Sequence, residues 1–174
     1  MKRQLALVCS LAAIGGAALL PSAAGAKGSM MMQPNIVQVA ASAPQFSTLV
    51  SLVKKAGLVK ALEARGKLTV FAPTNAAFAA LHRRDPKLFA MVAGSRKLLA
   101  EVLEYHVVRG DFTAARVIHR RSLRTLLGQS LGVIVKGGHV FIRAAGDRAE
   151  VIKANIMASN GVIHAINAVL LPKL

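Results

Sequence analysis

The chain is poor in sulfur, in aromatic side chains and above all in negative charge. Its one cysteine is Cys9, close to the N-terminus; it has no tryptophan and one tyrosine. A lone cysteine allows neither an internal disulfide nor a thiolate metal site, so a fold must rest on its apolar core. Six phenylalanines and one tyrosine offer few platforms for stacked bases, which argues against specific reading of nucleic acid. The five histidines are scattered, without the close spacing of metal ligands. H-E-x-x-H, G-x-S-x-G and phosphate-binding loops are missing, so neither a metal nor a cofactor is expected. Seven Asp and Glu stand against 23 Lys and Arg, a formal net charge of +16. A field of that sign favours polyanions: lipopolysaccharide, acidic polysaccharide, anionic lipid headgroups or, nonspecifically, nucleic acid.

What is present begins with Lys2 and Arg3, an uncharged apolar run over 5–20, and Ala24-Gly25-Ala26. These are the basic, apolar and small-residue parts of a secretory signal peptide, here residues 1–26. The run is shorter than the roughly 20 apolar residues that span a bilayer. Cleavage after Ala26 would remove Cys9 and leave 148 of the 174 residues, with 21 Lys and Arg against the same seven acids. Residues 27–34 read as a flexible leader and 35–174 as one domain without repeat or linker. The expected location is secreted: periplasmic, cell-surface or extracellular.

Along the domain, Phe46, Leu49, Val50, Leu52 and Val53 recur at helical spacing up to Gly57, and a short helix over 58–64 follows. Leu68 to Ala72 is β-prone and ends at Pro73, after which Thr74 or Asn75 can cap a helix carrying Phe78 and Leu81. Asp85-Pro86 opens another helix. Ser95 opens a longer one with Leu98, Leu99, Val102 and Leu103 as its stripe. Tyr105 to Val108 reads as strand, and Phe112 to His119 as a short helix. Beyond Leu123 the period changes: 131–135 and 140–142 flank a Gly137-Gly138 hairpin, and 151–157, 162–166 and 169–171 read as further strands. Helices first and antiparallel strands second is an α+β arrangement.

Three segments carry an identity: TVFAPTNAAF over Thr69–Phe78, YHVV over Tyr105–Val108, and SNGVIHAINAVLLP over Ser159–Pro172. In order and separation they resemble the signatures of the fasciclin domain, over about 35–172. The resemblance implies a fasciclin-like β-sandwich wedge with several helices packed in the N-terminal half. It also implies a non-catalytic adhesion module, with surface proteins, anionic envelope or matrix polysaccharides, or anionic lipid as partners. The family's adhesion segments map to Tyr105, His106, Val107 and Val108, and to Asn155 and Ile156, where Asn stands in place of the expected Asp. Asn167 likewise stands where Asp is frequent. The usual proline after YHVV is Arg109, which completes Arg109-Gly110-Asp111, an RGD triplet. Asp111 also suits a helix cap.

Three further features need weighing. His106 and His164 sit among aliphatics, where a hydrogen-bonded structural role is the expectation. Arg116, Arg120, Arg121 and Arg124, joined by His119, are the densest base in the domain and form a candidate anion patch, with Arg116 and Arg120 on one helical face. Ser51 and Lys54 match the S-x-x-K of acyl enzymes, an alternative hydrolase reading, but no S-D-N or K-T-G partner accompanies them.

Overall fold

The computed structural model describes residues 33–64 and 66–173. The expected signal peptide, and the leader up to residue 32, lie outside the described residues. Helices α1 (Ile36–Ser42), α2 (Ser47–Ala56) and α3 (Val59–Glu63) come first, with a single 3₁₀ turn at Pro44–Phe46. Strand β1 (Leu68–Pro73) leads into α4 (Asn75–Arg84), α5 (Pro86–Gly94) and α6 (Arg96–Tyr105). After β2 (Val107–Arg109) and α7 (Ala114–Val117) the chain is all strand: β3 (Ser122–Arg124), β4 (Ser130–Lys136), β5 (His139–Arg143), β6 (Arg148–Ala158) and β7 (Gly161–Ile166). The fold is α+β, with the helices gathered in the N-terminal half as expected.

The seven strands form one sheet in the order β2-β1-β7-β6-β5-β4-β3. All neighbours run antiparallel except β1 and β7, which are parallel. The sheet curls until its two edges meet, through an antiparallel bridge between Val108 and Thr125 and a bond from the Leu126 N–H to the Val107 carbonyl (2.8 Å). β6 makes the curl possible. Its start pairs with β5, the rest pairs with β7, and register shifts fall between Val151 and Lys153 and between Lys153 and Ile156. A bulge adds bend and twist to one strand, so a single sheet supplies both layers of the wedge.

β1 and β7 are buried along their whole length, because each has a core on either face. Leu68, Val70, Ala72, Ile163 and Ala165 face the helices and meet Phe46, Leu49, Leu99 and Leu103. Phe71 and Ile166 point into the curl with Tyr105, Leu123, Leu131, Ile142 and Leu170. Two-sided burial explains why these strands read as continuous apolar runs. Each fully buried aliphatic, such as Ile163, contributes roughly 2–3 kcal/mol.

The capping signals at Asp85 and Ser95 hold, each side chain accepting the N–H three residues on (2.9 and 3.4 Å). Other expectations need correcting. α1 was not expected, although Asn35 and Gln38 form a complete capping box for it. Tyr105 ends α6 and His106 caps it, so the Tyr-His half of YHVV is helix and only Val107 onward is strand. The run 169–171 is no strand: the Leu170 N–H is taken by a histidine ring instead of a ladder. The helix after the RGD triplet covers four residues. Neither Thr74 nor Asn75 caps α4 by its side chain; Asn75 Oδ1 accepts the Thr48 N–H of α2 (3.1 Å) and its amide reaches Pro44 O (2.9 Å).

Candidate functional site

The turn after β2 is fastened to the sheet through the backbone of Gly110 and Phe112. The Gly110 N–H donates to Lys67 O (2.8 Å), and the buried Thr69 hydroxyl donates to Gly110 O (2.7 Å). That hydroxyl also accepts the Phe112 N–H (2.9 Å). Gly110 has φ +115°, and a Cβ there would come within 2.7 Å of the Phe112 ring, so only glycine fits the turn. The His164 ring stacks on Phe71 at 5.6 Å with the planes 25° apart, and its Nε2–H donates to Phe112 O (2.7 Å). Its Nδ1 accepts the Asn155 N–H (3.4 Å). With one nitrogen giving and the other receiving, the ring is held neutral. Burial lowers its pKa, against the smaller opposing effect of the Phe112 carbonyl.

Asn155 sits in the β6 bulge at φ +58°, a left-handed conformation that Asn tolerates well. Its Oδ1 accepts the Ala114 N–H at the start of α7 (2.8 Å). This displaces the expected role of Asp111: the cap of α7 comes from a distant strand, while Thr113 at the cap position makes no side-chain bond. Asp111 instead offers its backbone carbonyl to Arg116 (3.1 Å), and its Oδ1 is shielded from water without a hydrogen-bond partner. Replacing Asn155 by alanine should cost about 1–2 kcal/mol and lower Tm by several degrees, whereas Asn155→Asp, which keeps the acceptor, should restore most of it. Thermal melts of both variants decide this; equal Tm values for Asn155→Ala and the parent would remove the cap assignment.

The residues mapped from the resemblance divide sharply. Tyr105, His106, Val107 and Val108 are all buried, none more than 3% exposed. Enclosed in this way, they are not available as the contact surface expected of them. His106 Nδ1–H donates to Val102 O (2.7 Å), and its Nε2 accepts the Leu170 N–H (3.0 Å). Burial drives its pKa down to about 4, the Val102 carbonyl opposing. Asn155 is exposed and Ile156 half-buried. Within the triplet Arg109 is exposed, but Gly110 and Asp111 are half-buried, in a turn tied down rather than displayed at a free loop tip.

Arg116, Arg120, Arg121 and Arg124 are all exposed, but α7 ends at Val117, so Arg116 and Arg120 do not share a helical face. The curl of the sheet gathers a different set. Where β2 meets β3, an open cleft of about 400 Å³ is lined by Arg109, Arg120 and Arg124 with Phe112, Ser122 and Thr125. The Arg120 guanidinium lies 5.0 Å over the Phe112 ring, a favourable cation–π geometry. Arg116 is tied to Asp111 and Arg121 is not in the lining. Among the described residues the ion pairs are Arg84 with Asp147 and His139 with Glu150, both 2.7 Å; the cleft arginines are in neither. Arg109 was read as a letter of RGD and not as part of the patch, because only closure of the sheet brings it beside Arg124. Ser51 Oγ donates to Ser47 O one turn back (3.0 Å), and both Ser51 and Lys54 are exposed on α2, without the enclosed pairing that acyl chemistry needs. Beneath α1–α3, an apolar cavity of about 60 Å³ is bordered by Ile36, Val53, Leu62, Val70 and Ile163.

The fold is a curled α+β module whose signature segments are spent on internal fastening. The chain belongs to the fasciclin domain family: the family model for the fasciclin domain matches residues 44–172. Protein sll1483 of Synechocystis is 47% identical over 137 residues, 79% of this chain and 73% of that protein. Transforming growth factor-beta-induced protein ig-h3 of Sus scrofa is 38% identical over 74% of this chain but 18% of its own length. In structure, a FAS1 domain pair from the insect cell adhesion molecule fasciclin I superposes with a TM-score of 0.70 at 18% identity. The match covers 79% of this chain and 51% of that one.

Proposed function

We propose that this protein is a secreted, non-catalytic adhesion module that holds to anionic cell-envelope or matrix surfaces. The observation that carries the reading is the uncompensated cationic seam: between Glu104 and Asp147 the sequence has one acid, Asp111, and five arginines from Arg109 to Arg124. Arg109, Arg120 and Arg124 line one cleft there and enter no ion pair among the described residues. The fold likeness to an insect cell adhesion molecule and the signal-peptide pattern of residues 1–26 support the same reading. Attraction of this kind is multivalent and screened within about 10 Å at 0.1 M salt. Passage of the protein over immobilised heparin, immobilised lipopolysaccharide and an uncharged matrix tests it. Retention on the charged supports at low salt, with release as salt rises, is the expected result. Flow-through from both charged supports at low ionic strength would overturn the proposal.

A further inference from the structure

The cleft at the sheet seam is more selective than a charged surface. We propose that it binds a saccharide carrying a phosphate or sulfate ester, with Arg109, Arg120 and Arg124 holding the oxyanion; this rests on the reading of the protein as a binder of anionic surfaces. The three arginines arrive from separate elements: the end of β2, the turn after α7, and β3. Guanidinium forks match the oxygens of such esters in two-point contacts that a lysine cannot make. Arg120 is already oriented, its guanidinium held over Phe112, so less side-chain freedom is lost when a ligand arrives.

The rest of the lining fits a sugar better than other anions. The volume of about 400 Å³ lies in the range of small-molecule sites, about 300–1,000 Å³. Half-buried Leu126 borders the cleft beside the exposed Ser122 side chain, an apolar contact next to a free-standing hydroxyl, which suits the C–H face and hydroxyls of a pyranose. Phe112, the one aromatic ring in the lining, already has one face taken by Arg120, so the cleft lacks the set of open aromatic platforms on which successive bases stack. None of the large exposed apolar side chains, Met91, Ile118, Val135, Ile152 or Met157, lines the cleft, so it has no apolar rim to enter a lipid layer.

Titration calorimetry on the full chain tests this with glucose 6-phosphate, glucose 6-sulfate, glucuronate, glucose and inorganic phosphate as probes. At least one ester is expected to bind more tightly than inorganic phosphate, with glucose silent and glucuronate weaker; which ester wins tells the phosphate source from the sulfate source. Each of Arg109→Gln, Arg120→Gln and Arg124→Gln should weaken ester binding about tenfold. Arg120→Lys, which keeps the charge and loses the fork, should weaken it nearly as much. A triple Lys60→Gln/Lys87→Gln/Lys97→Gln variant removes equal charge from exposed sites elsewhere and should bind like the parent. Equal losses in the lysine triple variant and in a combined Arg109→Gln/Arg120→Gln/Arg124→Gln variant, or inorganic phosphate matching both esters, would overturn the saccharide site while leaving retention on heparin intact. Loss of heparin retention by the parent itself would instead remove the broader reading.

Discussion

Lowering the pH from 7 to 4 should strip about 3 kcal/mol from the stability of the domain through His106 alone. The ring is fully enclosed, gives its Nδ1–H to Val102 O and receives the Leu170 N–H at Nε2. A proton on Nε2 would turn that acceptor into a donor facing a donor. Burial therefore holds the folded pKa at about 4, below the ordinary 6.5. Above pH 6.5 the ring is neutral folded and unfolded, and the full stability is present. Below 6.5 the unfolded chain takes up a proton that the folded one refuses, so stability falls by about 2 kcal/mol by pH 5 and about 3 by pH 4, where the folded ring also begins to titrate. His164, lowered for the same reason, adds to the loss in the same direction. Urea unfolding at pH 7, 6, 5 and 4 measures the slope, and NMR titration of the His106 ring separates it from the carboxylates. A ring that titrates near 6.5 in the folded protein would contradict the geometry.

The sequence made the amphipathic helices legible because one solvent-facing side leaves a clean period. The stripe of α6, with Leu99, Val102 and Leu103 buried, is the clearest case, and the Gly137-Gly138 hairpin is another. Elements whose polar groups are satisfied from afar left weaker marks. α1 is seven residues long, with Gln38 and Ser42 as its only polar side chains, too few to reveal a period, and its cap was the available signal. The 169–171 run has strand composition, but the His106 ring claims the backbone at Leu170. β3 is three residues long, too short for alternation to register.

A common device runs through and beside the signature segments. Asn75 reaches α2, Asn155 reaches α7, and Asn160 accepts the Ile36 N–H of α1 (2.9 Å) while donating to Leu62 O of α3 (2.6 Å). Short amides caught between strand and helix satisfy helix ends that would otherwise be left open. That explains why these asparagines stand where they do without any ligand. The cationic cleft is the opposite case. Its arginines are 11 and 4 residues apart in sequence, and only the meeting of β2 with β3 makes them neighbours.

The severest single change should be Gly161→Ala, with a loss beyond about 4 kcal/mol, large enough to prevent folding of most of the protein. Gly161 opens β7 directly beside β1, paired with Leu68. A Cβ there would fall within 1.8 Å of Leu68 O and 2.7 Å of its carbonyl carbon. Those atoms are backbone in the most buried strand pair, so they cannot swing aside as a side-chain tip would. Relief would require β1 and β7 to part, and with them the contacts that Val70, Phe71, Ile163 and Ile166 make on both faces of the sheet. The φ of +153° adds strain for any side chain. Gly57→Ala provides the comparison: it also has positive φ, +76°, but nothing lies within 4 Å of the added carbon, so only the backbone penalty of about 1 kcal/mol applies. Soluble yield, circular dichroism and thermal melts of the two variants separate the effects. A folded Gly161→Ala protein melting within a few degrees of Gly57→Ala would show that β1 and β7 do not approach as closely as the fold requires.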